Sequence, residues 1–479
     1  MARDSHEVYE SPLLTRYAGR DMTRLFSEER RVRLWRRLWI ALAEAAKELG
    51  LPITEAQIAE LRAHEEDINF EVAEKKEREV RHDVMAHIHA YGEQCPKAKP
   101  ILHLGATSAF VTDNADLLIL REALGLVRGR LVQGIEPLAA FAKKWKDVPV
   151  LGFTHFQPAQ CTTLGKRACL WIQDFLIDLA EVERAAADLR LLGAKGATGT
   201  QASFLRLFGG DEAKVRELDR RICAKMGFEA AYPVTGQTYP RKVDFRVLAA
   251  LSGIAQSASK FANDIRLLMH GREVEEPLEA AQVGSSAMPY KRNQVRCERI
   301  ASLGRFLISL LSNAAHTAGA QWLERTLDDS ANRRIVLPEA FLAADAIGIL
   351  VADVASGLRV FPEKIRANLA SEFPFLATEE ILMDAVAAGG DRQALHERIR
   401  HHSNDVSRIL KEGGARNDLL ERIRDDPAFA RVRDRIEGMR DPARLVGRSP
   451  GQVEDFLQEF VEPALRRVRP AISREEVRV

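Results

Sequence analysis

The chain has 479 residues, with 70 Lys+Arg against 69 Asp+Glu. That length exceeds one ordinary compact core and predicts two or three domains, while a net charge of +1 excludes the basic excess of a nucleic-acid binder. Five cysteines, at 95, 161, 169, 223 and 297, are odd in number and form no C-x-x-C pair, which points to a reducing, cytoplasmic setting.

The first ten residues, MARDSHEVYE, carry acidic side chains and no apolar stretch, so they do not read as a secretory signal. Val32, Trp35, Leu38, Trp39, Leu42, Ala46 and Leu49 recur at three- and four-residue intervals and predict a helix that Gly50 and Pro52 end. Arg30, Arg31, Arg33, Arg36 and Arg37 lie within it and read as one solvated face. Thr54 and Gln57 have the spacing of a capping box for the next helix. Residues 81–89, RHDVMAHIH, contain three histidines that invite a metal. On a helix, however, positions 82 and 87 lie about 140° apart and 87 and 89 about 200° apart, so they share no face as zinc ligands at i and i+4 would. No metal is expected, and His87 and His89 read as packing or surface residues.

Five later patterns are much longer than an ordinary helix: residues 114–143, 162–192, 243–270, 295–323 and 330–358. They predict a nearly all-α fold built on a rod-like bundle. Their apolar residues cover more circumference than one bundle can hide, so an oligomer is expected. Residues 306–323 form a charge-free run about as long as a membrane span, yet Ser309, Ser312, Asn313, His316 and Gln321 argue for a helix buried among others rather than a membrane span. Gly, Thr, Ser and Pro interrupt the periodicity at 105–108 and 361–362. The expected division is an N-terminal helical domain (1–107), a central bundle (108–360) and a C-terminal helical domain (361–479).

Several loops carry chemistry. Residues 104–108, LGATS, offer a glycine and two hydroxyls to a carboxylate. Residues 152–160, GFTHFQPAQ, place His155 in a loop, and an imidazole can protonate a departing amine near neutral pH. Residues 195–203, KGATGTQAS, read as a flexible connector, and 235–242, TGQTYPRK, contain the amide of Gln237. In 284–293, GSSAMPYKRN, a serine could act as a base only where cations such as Lys291 and Arg292 and backbone amides favour its alkoxide. Residue type alone allows either Ser285 or Ser286. Residues 325–334, RTLDDSANRR, surround Ser330 with arginines suited to phosphate. Neither a G-x-x-x-x-G-K-[ST] loop, a G-x-G-x-x-G turn nor a G-x-S-x-G elbow is present, so no bound ATP or NAD and no hydrolase elbow is expected.

GSSAMPYKRN resembles the signature loop of the fumarase/aspartase superfamily, and THFQPAQ resembles its Thr-His-x-Gln-x-Ala-Gln pattern. Matching segments run from Ser11 to the C-terminal region; one departure is Gln294, where the superfamily usually has proline. The resemblance implies three helical domains around a central long-helix bundle, a homotetramer with each site built from three subunits, and elimination of fumarate without a cofactor. It selects Ser285 as the base and His155 as the general acid. It places Thr154, Thr107, Ser108, Gln237, Lys291 and Asn293 on the substrate carboxylates. It puts Arg16 and Tyr17 on phosphate or ribose, and His82, with Arg81 and Asp83 beside it, at the phosphate. Arg299, Arg325, Ser330 and Arg334 are further expected substrate contacts. So many cations and hydroxyls favour a succinylated purine nucleotide. Argininosuccinate lyase shares the elimination and the loop, but leaves 325–334 without a phosphate to bind. A non-catalytic homologue has only Gln294 in its favour. No nucleic-acid or membrane partner is implied.

Overall fold

A computed structural model describes residues 7–279, 281–414, 416–439 and 441–468, together with 473, 475 and 477. Helix α1 (Glu28–Glu48) begins where Ser27 Oγ accepts the Arg30 amide at 3.2 Å, and ends just before Gly50, whose φ of 97° turns the chain. Its buried face carries Val32, Trp35, Leu38, Trp39 and Leu42, as their spacing predicts. Arg36 departs from the expected solvated row. It is 1% exposed, lies 4.3 Å from the Tyr91 ring centroid, and donates to Gln94 Oε1 at 2.7 Å and to the His64 carbonyl. Satisfied donors allow that guanidinium inside, while Arg30, Arg31, Arg33 and Arg37 stay half-buried. The Thr54–Gln57 capping box forms with both reciprocal bonds.

Helices α2 (Phe70–Val80) and α3 (Asp83–Gln94) lead into α4 (Ser108–Lys144), the longest rod. Strands β1 (Pro149–Thr154) and β2 (Gln157–Thr163) then form an antiparallel hairpin where a loop was expected. Consequently α5 (Leu164–Ala187) starts two residues late, capped by Thr163, whose hydroxyl accepts the Lys166 amide at 3.1 Å. Gly165 is required there, because a Cβ would collide with the Ala142 carbonyl. The bundle is completed by α6 (Lys242–His270), α7 (Val295–Gly319) and α8 (Asp328–Gly357). Between them a two-residue strand β3 (Val274–Glu275) pairs with β4 (Arg359–Val360). The C-terminal part opens with α9 (Pro362–Leu376) and includes α10 (Arg392–Lys411).

In the bundle, α4 packs on α5 and α8, and α6 packs on α5, α7 and α8. Helix α8 is long and apolar enough to cross a membrane, but 78% of its apolar window is buried inside the protein. Helix α7 differs from its expected burial. It stops at Gly319 rather than 323, and Ser302, Ile308, Ser309, Ser312 and His316 are exposed along one side of it. The polar run is therefore a face that this chain does not cover by itself.

One core joins side chains from Leu13 to Ile365 and takes in Val453, Leu457 and Val461, so the end of the chain returns to the bundle. A second core, including Phe373, Ile381, Leu395, Phe429 and Met439, holds the α9–α10 region together. Deep in the first core Arg130 on α4 meets Asp345 on α8 at 2.7 Å, with the two side chains 3% and 1% exposed. Asp345 also accepts the Gly19 amide at 2.7 Å, tying the N-terminal segment to the bundle. Asp345→Ala leaves that guanidinium buried without its counter-charge and should lower stability by about 3–5 kcal/mol. Joint replacement by Arg130→Met and Asp345→Leu should recover most of the loss, as read from denaturant midpoints.

Candidate active site

Three helix N-termini converge on one cavity of about 680 Å³. Helix α3 is capped by His82, whose Nδ1 faces the Met85 amide at 3.5 Å. Helix α4 starts at Thr107 and Ser108, where Thr107 makes no capping bond with its side chain. Helix α8 brings Ser330 into its first turn. Aligned peptide dipoles favour negative charge at each of these ends, and part of that demand is met from within, by Asp83 in the first turn of α3 and by Asp328 and Asp329 in that of α8. Arg81, His82, Asp83, Thr107, Ser108, Gln237, Arg325, Ser330 and Arg334, nominated from four separate stretches of sequence, all line this cavity.

Local backbone explains how they get there. Arg81 ends α2 in the left-handed conformation, φ 54°, and so turns His82 and Asp83 toward α4 and α8. Ser108 Oγ lies 3.4 Å from His82 Nε2, and Arg334 donates to Asp83 at 2.9 Å. If Nδ1 accepts the Met85 amide, Nε2 carries the proton and points at Ser108. Gln237 is fixed by its amide, which donates to the Glu324 carbonyl at 3.0 Å, and by its side chain, which donates to the Ala197 carbonyl at 3.2 Å. The 195–203 connector is anchored rather than free. Lys195 is buried against Asp219 at 2.5 Å, and Gln201 donates to the same carboxylate at 3.2 Å.

Beneath the cavity lies a network that the motifs did not reveal. Arg241 pairs with Asp113 at 2.9 Å and with Asp329 at 2.5 Å, and Asp329 also accepts Arg325. Arg333 pairs with Asp244 at 2.7 Å and Asp116 at 2.9 Å, while the Tyr239 hydroxyl donates to Asp244 at 2.6 Å. Burial pushes the Asp116 carboxyl up, against the opposing pull of Arg333. Both arginines sat inside segments singled out in the sequence, 235–242 and 325–334. What the sequence hid is direction: both arginines line the cavity, but Arg333 is buried and paired with Asp244 and Asp116, whereas Arg334, about 100° further round the helix, is exposed.

The remaining nominated residues do not line this cavity. Thr154 and His155 sit at the end of the β1–β2 hairpin, where residues 153–160 are exposed throughout. His155 and Phe156 both have positive φ, 50° and 59°, and form a two-residue turn between the paired Thr154 and Gln157. Such a turn normally takes Asn-Gly; L side chains in that conformation cost about 1–2 kcal/mol each. The arm is braced by Arg167, which donates to the Leu151 carbonyl, and by Gln160, which donates to Glu379.

Ser285, Lys291 and Asn293 lie on a second projection, between β3 and α7. Gly284 is obligatory at its neck, since a Cβ would strike the Lys291 carbonyl. Ser285 Oγ accepts the Met288 amide at 3.2 Å, a donor that would favour an alkoxide there. Lys291 is exposed and makes no ion pair among the described residues. Nearby, the Arg299 guanidinium lies 5.3 Å from the ring centroid of Tyr17, next to exposed Arg16.

His87 is buried, edge-on to Trp35 and Phe70 with centroids 5.6 and 6.2 Å away. The described residues contain no group of ligands able to hold a metal.

Comparison with known proteins follows the same outline. The family model described as "Lyase" matches residues 21–305, and that described as "Adenylosuccinate lyase C-terminus" matches 374–456. Adenylosuccinate lyase of Saccharomyces cerevisiae is 51% identical over 477 residues, covering 99% of each chain, and that of Schizosaccharomyces pombe is 50% identical over the same length and coverage. The crystal structure of fumarate lyase from Mesorhizobium sp. BNC1 shares the fold with a TM-score of 0.81, at 23% identity over 94% of this chain and 99% of that one.

Burial, reinforced by the nearby Arg36, holds the His87 imidazole down to about 4, and burial holds His103 down to about 4 as well. The unfolded chain takes up these protons near pH 6.5, so native stability is full above that pH and falls as pH drops toward 4. His87→Phe, which keeps an aromatic ring in place, should show a smaller loss of denaturant stability between pH 6.5 and 4 than the natural chain.

Proposed function

The chain belongs to the adenylosuccinate lyase family and is a carbon–nitrogen lyase of purine biosynthesis; we propose that it works by a cofactor-free β-elimination with Ser285 as base and His155 as acid. Ser285 takes the proton from the succinyl carbon beside a carboxylate. The C–H electrons become the double bond of fumarate, the C–N electrons leave on nitrogen, and His155 supplies the proton that nitrogen needs. Adenylosuccinate thereby gives AMP. The succinylated aminoimidazole carboxamide ribotide presents the same succinylamine and phosphate and is the proposed second substrate.

In this reading the cavity is the substrate cradle. Ser330, Arg325 and Arg334 at the start of α8 hold the phosphate with His82, Arg81 and Asp83, and Arg16, Tyr17 and Arg299 complete the nucleotide end. Thr107 and Ser108 at the start of α4, with Gln237, Thr154, Lys291 and Asn293, hold the two carboxylates and the charge that develops on one of them. The observation that carries this reading is a partition. Three helix N-termini and their hydroxyls and arginines share one cavity, while His155 on an exposed hairpin and Ser285, half-buried on a second loop, lie outside it.

Such a partition calls for other copies of the chain, and we take the assembly to be a homotetramer with shared sites. Uncovered apolar side chains support it: Leu170 and Ile177 on α5, Leu267 on α6 and Ile308 on α7 are 50%, 55%, 49% and 37% exposed. Residues 170 and 177 lie two turns apart on one face, the spacing of a helix-packing seam. The proposed setting is the cytoplasm, supported by five buried cysteines that form no disulfide.

Ser285→Ala and His155→Gln should each lower kcat for fumarate release from adenylosuccinate by about 10²–10⁴-fold, with thermal unfolding almost unchanged. Mixed after subunit exchange, the two inactive variants should regain activity; none regained would refute sites built from several chains, and an active Ser285→Ala would refute the base.

A further inference from the structure

The loop that carries Ser285 leaves β3 and returns at the start of α7, and its two ends are locked to each other. On the outgoing side Glu276, 5% exposed, accepts the Arg296 amide at 3.0 Å with one carboxylate oxygen and the Cys297 amide at 2.9 Å with the other. A buried carboxylate thus fills the N-terminus of α7, which Gln294 does not cap with its side chain. On the returning side Arg296, 3% exposed, reaches back to the Pro277 carbonyl at 2.5 Å, to Gln282 Oε1 at 3.1 Å and to Glu279 at 3.1 Å. Its Nε meets Asp353 of α8 at 2.7 Å. The two struts are therefore anchored to each other, and Arg296 also to α8 through Asp353 near the C-terminal end of that helix.

We propose that Glu276 and Arg296 are positioning residues for the elimination: a reciprocal clamp that fixes the root of the Ser285 loop on α7 and α8 while its tip remains free to meet substrate. The proposal rests on Ser285 being the base. Neither residue touches the reacting atoms. Their effect comes through geometry, since a displacement of about 1 Å at a reacting group can lower a rate by about 10²-fold. Arg296 is suited to this because its planar fork hydrogen-bonds three acceptors while its charge also faces Asp353; a lysine keeps the charge but cannot span them. Glu276→Gln likewise keeps shape but turns one acceptor into a donor facing an amide.

The test uses Arg296→Lys, Glu276→Gln and the milder Asp353→Asn in the full-length enzyme, with Ser285→Ala as reference. Expected for Arg296→Lys and Glu276→Gln is a roughly 10²-fold lower kcat with little change in KM. The primary isotope effect on substrate deuterated at the abstracted position should rise, and backbone exchange should quicken in 284–293 but not along α4 or α6. Asp353→Asn should shift the same readouts in the same direction by less. A merely structural role would lower activity through loss of folded enzyme, leaving the isotope effect unchanged and spreading faster exchange over the bundle; that outcome, or unchanged kcat and loop exchange, overturns the clamp. Ser285→Ala reads the other premise by itself. If it stays active while Arg296→Lys loosens the loop without slowing turnover, the base assignment has failed and the positioning role falls with it.

Discussion

The structure depends first on a set of guanidinium–carboxylate contacts buried where the long helices meet. Arg241 and Arg333 bind Asp113 and Asp116 of α4, Asp244 of α6 and Asp329 of α8 beneath the cavity. Charges removed from water tolerate little displacement, because an acceptor moved away leaves an uncompensated ion in a low-dielectric interior. The network therefore holds the starts of α4 and α8 side by side. That register places Thr107, Ser108 and Ser330 around one space, and amides at two helix ends become a single anion-binding surface.

Around this rigid floor the proposed acid and base are arranged in the opposite manner. The hairpin bearing His155 is exposed over residues 153–160, and the loop bearing Ser285 is exposed over 286–292, with Ser285 itself half-buried. A division of that kind lets one part of the protein bind by preorganisation while another arrives with the closing step. It also accounts for the bare faces of α5 and α7. Rods this long present more apolar and small-residue surface than five helices can hide from water, and the uncovered side chains are the remainder.

Much of this was readable from residue order. The helical repeat gives α6 and α8 nearly to their ends and α4 all but its first turn and a half, and the Thr54–Gln57 spacing gives a cap with both bonds. Residues picked out for anion chemistry from segments far apart in the chain line one cavity. Other features depend on three-dimensional context that no local pattern contains. Arg36 lies in a row of arginines, and only the acceptors at His64 and Gln94 and the Tyr91 ring admit it to the interior. Arg333 and Arg334 are adjacent letters with opposite environments, separated by one step of the helix and by the position of Asp244. The polar run in α7 has the composition of a buried helix, but a single sequence does not say whether its own chain or another does the burying. His-Phe is a poor two-residue turn by chemistry, so nothing in GFTHFQPAQ announces the hairpin's reversal there.

That same turn bears on how the protein could be engineered. Any redesign that ranks substitutions by folding stability would favour Asn-Gly at positions 155 and 156, since both residues occupy a backbone region that suits those side chains. The optimised chain would be sturdier and would have discarded its imidazole. Positions where the natural residue is the worse structural choice are where stability and usefulness diverge, and for His155, the proposed acid, that divergence is read from two backbone angles.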